Sequence, residues 1–175
     1  MSDDYQPLNL KKWIEENKHL LKPPVANKVV WTNREFIVMI VGGPNERTDF
    51  HVNQGEEFFY QLEGELTLKI ITKEGKMQNI SLSGGDIYLM PAGTPHSPQR
   101  AAHSVGLVIE RKRLLDEKDG LQWFCEKCQN KLYEEFFILT NIETQFDAVF
   151  ERYYNSHHIK CKSCDHQNGR KWSRA

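Results

Sequence analysis

The chain has 175 residues and a formal net charge of −1, from 23 lysines and arginines against 24 aspartates and glutamates. That length predicts one domain with one real core and a small appendage. The near-neutral balance gives neither nucleic acid nor an anionic membrane a basic surface to bind, and no apolar run approaches the ~20 residues that span a bilayer.

The acidic start MSDDYQPLNL lacks the apolar stretch of a signal peptide. A cytoplasmic protein is therefore expected, with its four cysteines reduced and better suited to holding metal than to forming disulfides. Leu10, Trp13, Ile14, Asn17 and Leu21 follow helical spacing, and Pro23–Pro24 should end that helix. From residue 35 to about residue 110 the chain reads as all β. The segments EFIVMIVGG, EEFFYQL, ELTLKIIT, KMQNISL, DIYLMPAG and VGLVIER are short, rich in β-branched and aromatic residues, and separated by Gly, Asn or Lys turns. Short strands at this spacing predict a sandwich or a barrel. A third section begins near Leu121 and carries all four cysteines and one more helix. In that helix Ile142, Phe146, Val149, Phe150 and Tyr153 form an apolar core-facing stripe, and Thr140 with Glu143 reads as a capping box. The expected division is an N-terminal helical arm over 1–30, a β-barrel over 31–115 and a C-terminal extension over 116–175.

Within the β region, HVNQGEEFFYQLEG places His51 and Glu57 six positions apart. An unbroken strand would separate them by about 20 Å at ~3.3 Å per residue, whereas ligands of one metal each lie ~2 Å from it. If both bind one ion, the chain must double back between them, and Asn53-Gln54-Gly55 is turn-forming. The third ligand expected is His96, which follows the stiff turn Pro91-Ala92-Gly93-Thr94-Pro95. Two histidines and a carboxylate with open positions on one side make the facial triad of non-heme Fe(II) oxygenases. Glu56 competes in register with Glu57, but strand alternation sends the two to opposite faces. His103 sits in no motif and is expected to be exposed. Arg47 and Arg100 lie four residues before His51 and four after His96, within reach of the same surroundings, and a guanidinium suits a planar carboxylate. Glu110 ends the apolar run VGLVI.

In the third section, Cys125-Glu-Lys-Cys128 and Cys161-Lys-Ser-Cys164 are two Cys-x-x-Cys turns. Each presents two thiolates, and together they complete a tetrahedral four-sulfur site with no open position, hence a structural one, for zinc or iron. His157, His158 and His166 lie nearby, but the cysteines already fill the shell.

The spacing of His51, Glu57, Gly64, Gly85, Pro91, Gly93 and His96 resembles the two motifs of the cupin barrel. Asn53 stands where cupins commonly carry a second histidine, which removes one ligand and favours a two-His, one-Glu site. More closely, VGGPNERTDFH, EEFFYQLEG, PHSPQR and LVIER, followed by the two cysteine pairs, resemble the 3-hydroxyanthranilate 3,4-dioxygenase family. This resemblance runs from KKWIEENKHLLKPPV to the second cysteine pair. It implies a single cupin barrel with Fe(II) on His51, Glu57 and His96, with 3-hydroxyanthranilate and O2 as reactants. The product would be 2-amino-3-carboxymuconate semialdehyde, which closes unaided to quinolinate on the route from tryptophan to NAD. It further implies that Arg100 holds the substrate carboxylate, that Arg47 acts beside the oxygen position, and that Glu110 contacts the substrate's hydroxyl or amine. Glu57 would touch the substrate with its free oxygen, and the chain would form a homodimer. Two other readings remain at this point: a different cupin metalloenzyme, such as a thiol dioxygenase, and a non-enzymatic cupin binding module. Glu57 argues against a thiol dioxygenase of the cupin type, which usually has three histidines.

Overall fold

A computed structural model describes residues 6–21, 26–32, 34–45 and 47–169. The expected Pro23–Pro24 stop lies outside them. The chain opens with helix α1 (Leu10–Asn17), capped by the Asn9 side chain, which accepts a bond from the Lys12 amide. A 3-10 turn over Lys18–Leu20 follows. The strands are β1 (Asn27–Val29), β2 (Phe36–Gly42), β3 (Asp49–Val52), β4 (Glu57–Glu63), β5 (Glu65–Ile71), β6 (Met77–Ser83), β7 (Ile87–Met90), β8 (His96–Arg100), β9 (Val105–Arg111), β10 (Asp119–Phe124) and β11 (Lys131–Phe137). Helix α2 (Phe146–Tyr154) and a 3-10 turn (His157–Ile159) follow. Among the described residues no helix is long and apolar enough to cross a membrane.

The fold is mostly β, with two antiparallel sheets ordered β1-β2-β9-β4-β7 and β11-β10-β3-β8-β5-β6. The expected barrel is therefore formed by two facing sheets that are not closed into one hydrogen-bonded cylinder. Alternation sends every second side chain inward. Met39, Phe59, Met90 and Val108 from the first sheet meet Leu66, Leu68, Ile70 and Leu82 from the second, and together they make the main core. Helix α1 covers one outer end of the first sheet, where Ile14 and Leu21 pack with Ile40 and Val105. Gly64, Gly85 and Gly93 have φ of 68°, 98° and 72°. These are turn conformations that disfavour a Cβ, which gives the glycines of the sequence motif their physical reason.

The section after residue 115 contains more β structure than its sequence suggested. Strand β10 pairs with β3 on one side and β11 on the other, so it extends the sheet that carries His51. Helix α2 packs on this extension through Val149, Phe150, Tyr153 and Tyr154 against Leu121 and Trp123, with the Trp123 and Tyr153 rings stacked at 4.3 Å. The capping box does not form. The helix begins at Phe146, and its N-cap Gln145 is helical with no side-chain cap. The Gln145 side-chain oxygen Oε1 instead accepts from the Thr140 amide and hydroxyl at 2.8 and 3.1 Å. Glu143 turns away to accept from the Val29 amide at 3.0 Å and Lys28 Nζ at 3.2 Å, tying this turn to β1.

Candidate metal centres

His51 lies in β3 of the second sheet and Glu57 begins β4 of the first, so residues 53–56 carry the chain across the sandwich. This crossing resolves the spacing of His51 and Glu57. The two side chains come together because their strands face each other, and the link doubles back at a buried turn where the Gly55 amide donates to Asn53 Oδ1 at 2.9 Å. His96 opens β8 directly opposite His51, and Glu110 on β9 is directly opposite Glu57.

Glu57 forms the centre of the group. Its Oε1 lies 3.7 Å from His51 Nδ1, and its Oε2 lies 3.5 Å from His96 Nε2. One donor atom from each of the three residues falls within 4.8 Å of the others, and all three residues are buried. Ligands ~2.1 Å from one ion and at right angles would be ~3 Å apart, so the three donors sit close to a coordinating arrangement. The buried Glu57 Oε1 has no hydrogen-bond partner, a costly state unless a cation completes it. Burial disfavours charge on both imidazoles. At His51 burial prevails and the pKa falls; at His96 the neighbouring Glu57 outweighs it and the pKa rises. Burial would raise the Glu57 pKa as well, but His96 and His51 pull it down to about 2. Glu57 is thus anionic across the neutral range. Its register competitor Glu56 is exposed, as is His103.

Around this group stand the charged residues picked out by spacing. Arg47 closes on Asp49, with Nε 3.0 Å from Oδ1 and Nη2 2.5 Å from Oδ2, and its guanidinium carbon lies 5.9 Å from the Phe146 ring centre. Arg100 is 5% exposed. Among the described residues it pairs with no carboxylate; Nη1 reaches Gln61 Oε1 at 3.4 Å, and Nε has no partner. Burial and the charge of Arg47 hold its pKa down to about 10. Gly106 makes room for it, since a Cβ there would lie 2.5 Å from Arg100 Nη1. Glu110 Oε2 accepts from Asn53 Nδ2 at 2.7 Å, and its Oε1 forms an ion pair with Arg113 Nη1 at 2.7 Å. Burial, then the nearby Glu57, pushes its pKa up to about 7.

Several of these neighbours were not legible in the sequence. Asn53, read as a turn residue and as a missing ligand, also orients Glu110. Phe146, assigned to a core stripe, has its ring centre 5.2 Å from that of His51. Asp119 and Arg113 belong to no motif and reach the site only through strand pairing, and Gln61 lies inside EEFFYQLEG with nothing in its spacing to single it out.

The second group is formed by Cys125, Cys128, Cys161 and Cys164, whose sulfurs all lie within 4.8 Å of one another. Cys125 and Cys164 Sγ are 3.6 Å apart, and Cys128 and Cys161 Sγ 3.5 Å. A tetrahedron with metal–sulfur bonds of ~2.3 Å has edges of ~3.8 Å. The two turns are built alike. Cys125 and Cys161 each accept on their carbonyl from the residue after the second cysteine, Gln129 and Asp165, at 2.9 Å. Those two residues have φ of 60° and 57°. Asn168 bridges to the first turn, donating to the Phe124 carbonyl and accepting from the Glu126 amide.

Known proteins are similar to this chain over most of its length. A model of the 3-hydroxyanthranilic acid dioxygenase family matches residues 1–154. A Xanthomonas euvesicatoria pv. vesicatoria protein named 3-hydroxyanthranilate 3,4-dioxygenase is 55% identical over 161 residues, covering 91% of this chain and 90% of that one. A Bacillus thuringiensis protein of the same name is 47% identical over 167 residues, covering 95% and 93%. Among solved structures, a cupin-2 domain protein from Shewanella frigidimarina aligns with a TM-score of 0.49 at 20% identity, over 63% of this chain and all of that one. With the matched model reaching from the N-terminus to the end of α2, the chain belongs to the 3-hydroxyanthranilic acid dioxygenase family.

Proposed function

We propose that this chain opens the ring of 3-hydroxyanthranilate with O2, giving 2-amino-3-carboxymuconate semialdehyde, the precursor of quinolinate in NAD synthesis. One observation carries the reading in this family: a buried His51–Glu57–His96 group shares the sandwich interior with a buried guanidinium, Arg100, that pairs with no carboxylate among the described residues. Ferrous iron fits the donor set. It would be held by His51 Nδ1, Glu57 and His96 Nε2, and would let electrons pass between the aromatic ring and O2.

The protein's own groups bind and orient the substrate. Arg100 presents two parallel donors to the substrate carboxylate in a site where charge is poorly screened. Arg47, held in place by Asp49 and by the Phe146 ring, sets a second positive charge beside the reacting centre. Glu110, with its pKa raised to about 7, is suited to take the hydroxyl proton near neutral pH. Glu57 keeps a second oxygen for a substrate hydrogen. Phe59 and Phe146 flank the histidines and keep bulk water from the ring. The four-cysteine group would hold zinc or iron in a closed shell and pin α2 and the C-terminal turns to the sheet.

A homodimer fits an apolar row on the outer face of the first sheet, where exposed Leu89 pairs with Phe58 and Phe58 with Ile109. Four free cysteines grouped as metal ligands fit the reducing cytoplasm. The test is oxygen uptake. Fe(II)-loaded protein should consume one O2 per 3-hydroxyanthranilate, whereas a non-enzymatic binding module would take up the compound and consume none.

A further inference from the structure

Asp119 opens β10 and is fully buried. Leu121, two residues along, is directly opposite His51 in the β3–β10 pairing, so Asp119 lies diagonally across from His51 on the same face. Its Oδ2 is 2.6 Å from His51 Nε2. Arg113 grips the same carboxylate with both arms of its fork, Nε to Oδ1 at 2.7 Å and Nη2 to Oδ2 at 2.5 Å. The remaining nitrogen, Nη1, is the one that reaches Glu110 at 2.7 Å.

We propose that Asp119, braced by Arg113, is the positioning residue that fixes His51 in its metal-binding orientation and tautomer. This rests on the reading of His51, Glu57 and His96 as one metal site. A carboxylate held by a guanidinium has no hydrogen to give, so His51 must carry its proton on Nε2. The lone pair then sits on Nδ1, the nitrogen that faces Glu57. His96 is set the other way round. Its Nδ1 faces the Thr94 carbonyl at 3.0 Å, another pure acceptor, so its lone pair lies on Nε2, again toward Glu57. With an ion in place, the two rings would thus offer opposite nitrogens to one point. They differ in strength. Thr94 offers a neutral carbonyl, whereas Asp119 offers a full charge, which shortens the bond and makes His51 the stronger donor. Arg113 holds the carboxylate plane and offsets its repulsion from Glu57 and Glu110, which share the same interior.

Two measurements test this. Fe(II) affinity is determined anaerobically by chelator competition, with His96→Ala as the reference for a chain without the site. Asp119→Asn keeps an acceptor oxygen of the same size but loses the charge, and should weaken Fe(II) binding by ~10–100-fold. In the diamagnetic Zn(II)-loaded wild type, long-range 1H–15N correlation of the imidazoles should place the His51 proton on Nε2 and the His96 proton on Nδ1. An Asp119→Asn affinity within about threefold of wild type, below the range for such partners, or a His51 proton on Nδ1, would overturn the proposal. The spectrum is recorded on the wild-type chain, so it decides the question even where Asp119→Asn does not fold. If wild type and His96→Ala bind Fe(II) alike, it is the three-residue metal site that fails instead.

Discussion

Replacing Arg100 by methionine separates what this residue does for the substrate from what it costs the fold. The guanidinium is buried and, among the described residues, has no carboxylate partner and makes one long bond to Gln61. Burial holds its pKa well below the ordinary guanidinium range, at about 10, which corresponds to ~3 kcal/mol against folding. The sign follows from linkage: a cation whose folded pKa is depressed weakens the fold at every pH below about 10, so the full cost is present at neutral pH. Methionine fills a similar volume and removes that cost, but it strands Gln61 Oε1 at ~1–2 kcal/mol. The net is a gain of ~1 kcal/mol, which raises Tm by ~2–4 °C in a chain of this size. Substrate binding moves the other way. Losing a buried charge-assisted pair costs ~2–5 kcal/mol, which raises KM by at least ~30-fold. The carboxylate takes no part in ring opening, so kcat should fall far less than KM rises. Steady-state kinetics of Arg100→Met with 3-hydroxyanthranilate and thermal denaturation of the metal-free chain read the two effects. An unchanged KM together with a lower Tm would refute the reasoning, because Arg100 would then be a structural cation.

Changing His51, Glu57 or His96 to alanine should remove iron and activity while the sandwich stays folded by circular dichroism; wild-type turnover in an iron-free variant would defeat the assignment. Glu110→Gln should cut kcat by ~10²–10⁴ with iron still bound, because it keeps the shape but takes no proton. In the wild type, Glu110 is protonated below about pH 7, so kcat/KM should fall ~10-fold per pH unit on the acid side, and this limb should vanish in Glu110→Gln. Metal analysis of the loaded wild type should give two ions per chain and of Cys125→Ser one, with a lowered Tm as the first symptom; a disulfide among these cysteines under reducing conditions would count against the shared ion.

What the sequence could and could not reveal follows from how local each signal is. The six strands named from sequence are long enough to show a β-branched and aromatic pattern, and each is found within a residue or two except the shorter β7. Strands β3 and β8 escaped because they are DFHV and HSPQR, short stretches dominated by site residues and a proline. Strand β10 escaped because DGLQWF is buried almost throughout and shows no alternation. The His51, Glu57, His96 and cysteine groups were legible because turns and spacing mark them. Asp119 and Arg113 were not, since the separation of 68 residues between His51 and Asp119 is closed only by the β3–β10 register. The capping box failed for a related reason: Thr140 and Glu143 had better partners elsewhere in the chain.

The most direct measurement of the central claim is the aerobic ultraviolet spectrum of the Fe(II)-loaded protein mixed with 3-hydroxyanthranilate, followed in time with an oxygen electrode in the same cell. The account predicts loss of the substrate band, equimolar loss of O2 and a transient band of the ring-opened semialdehyde that decays to quinolinate without further oxygen. An unchanged substrate spectrum with no oxygen uptake, in protein shown to hold iron on His51, Glu57 and His96, would contradict it.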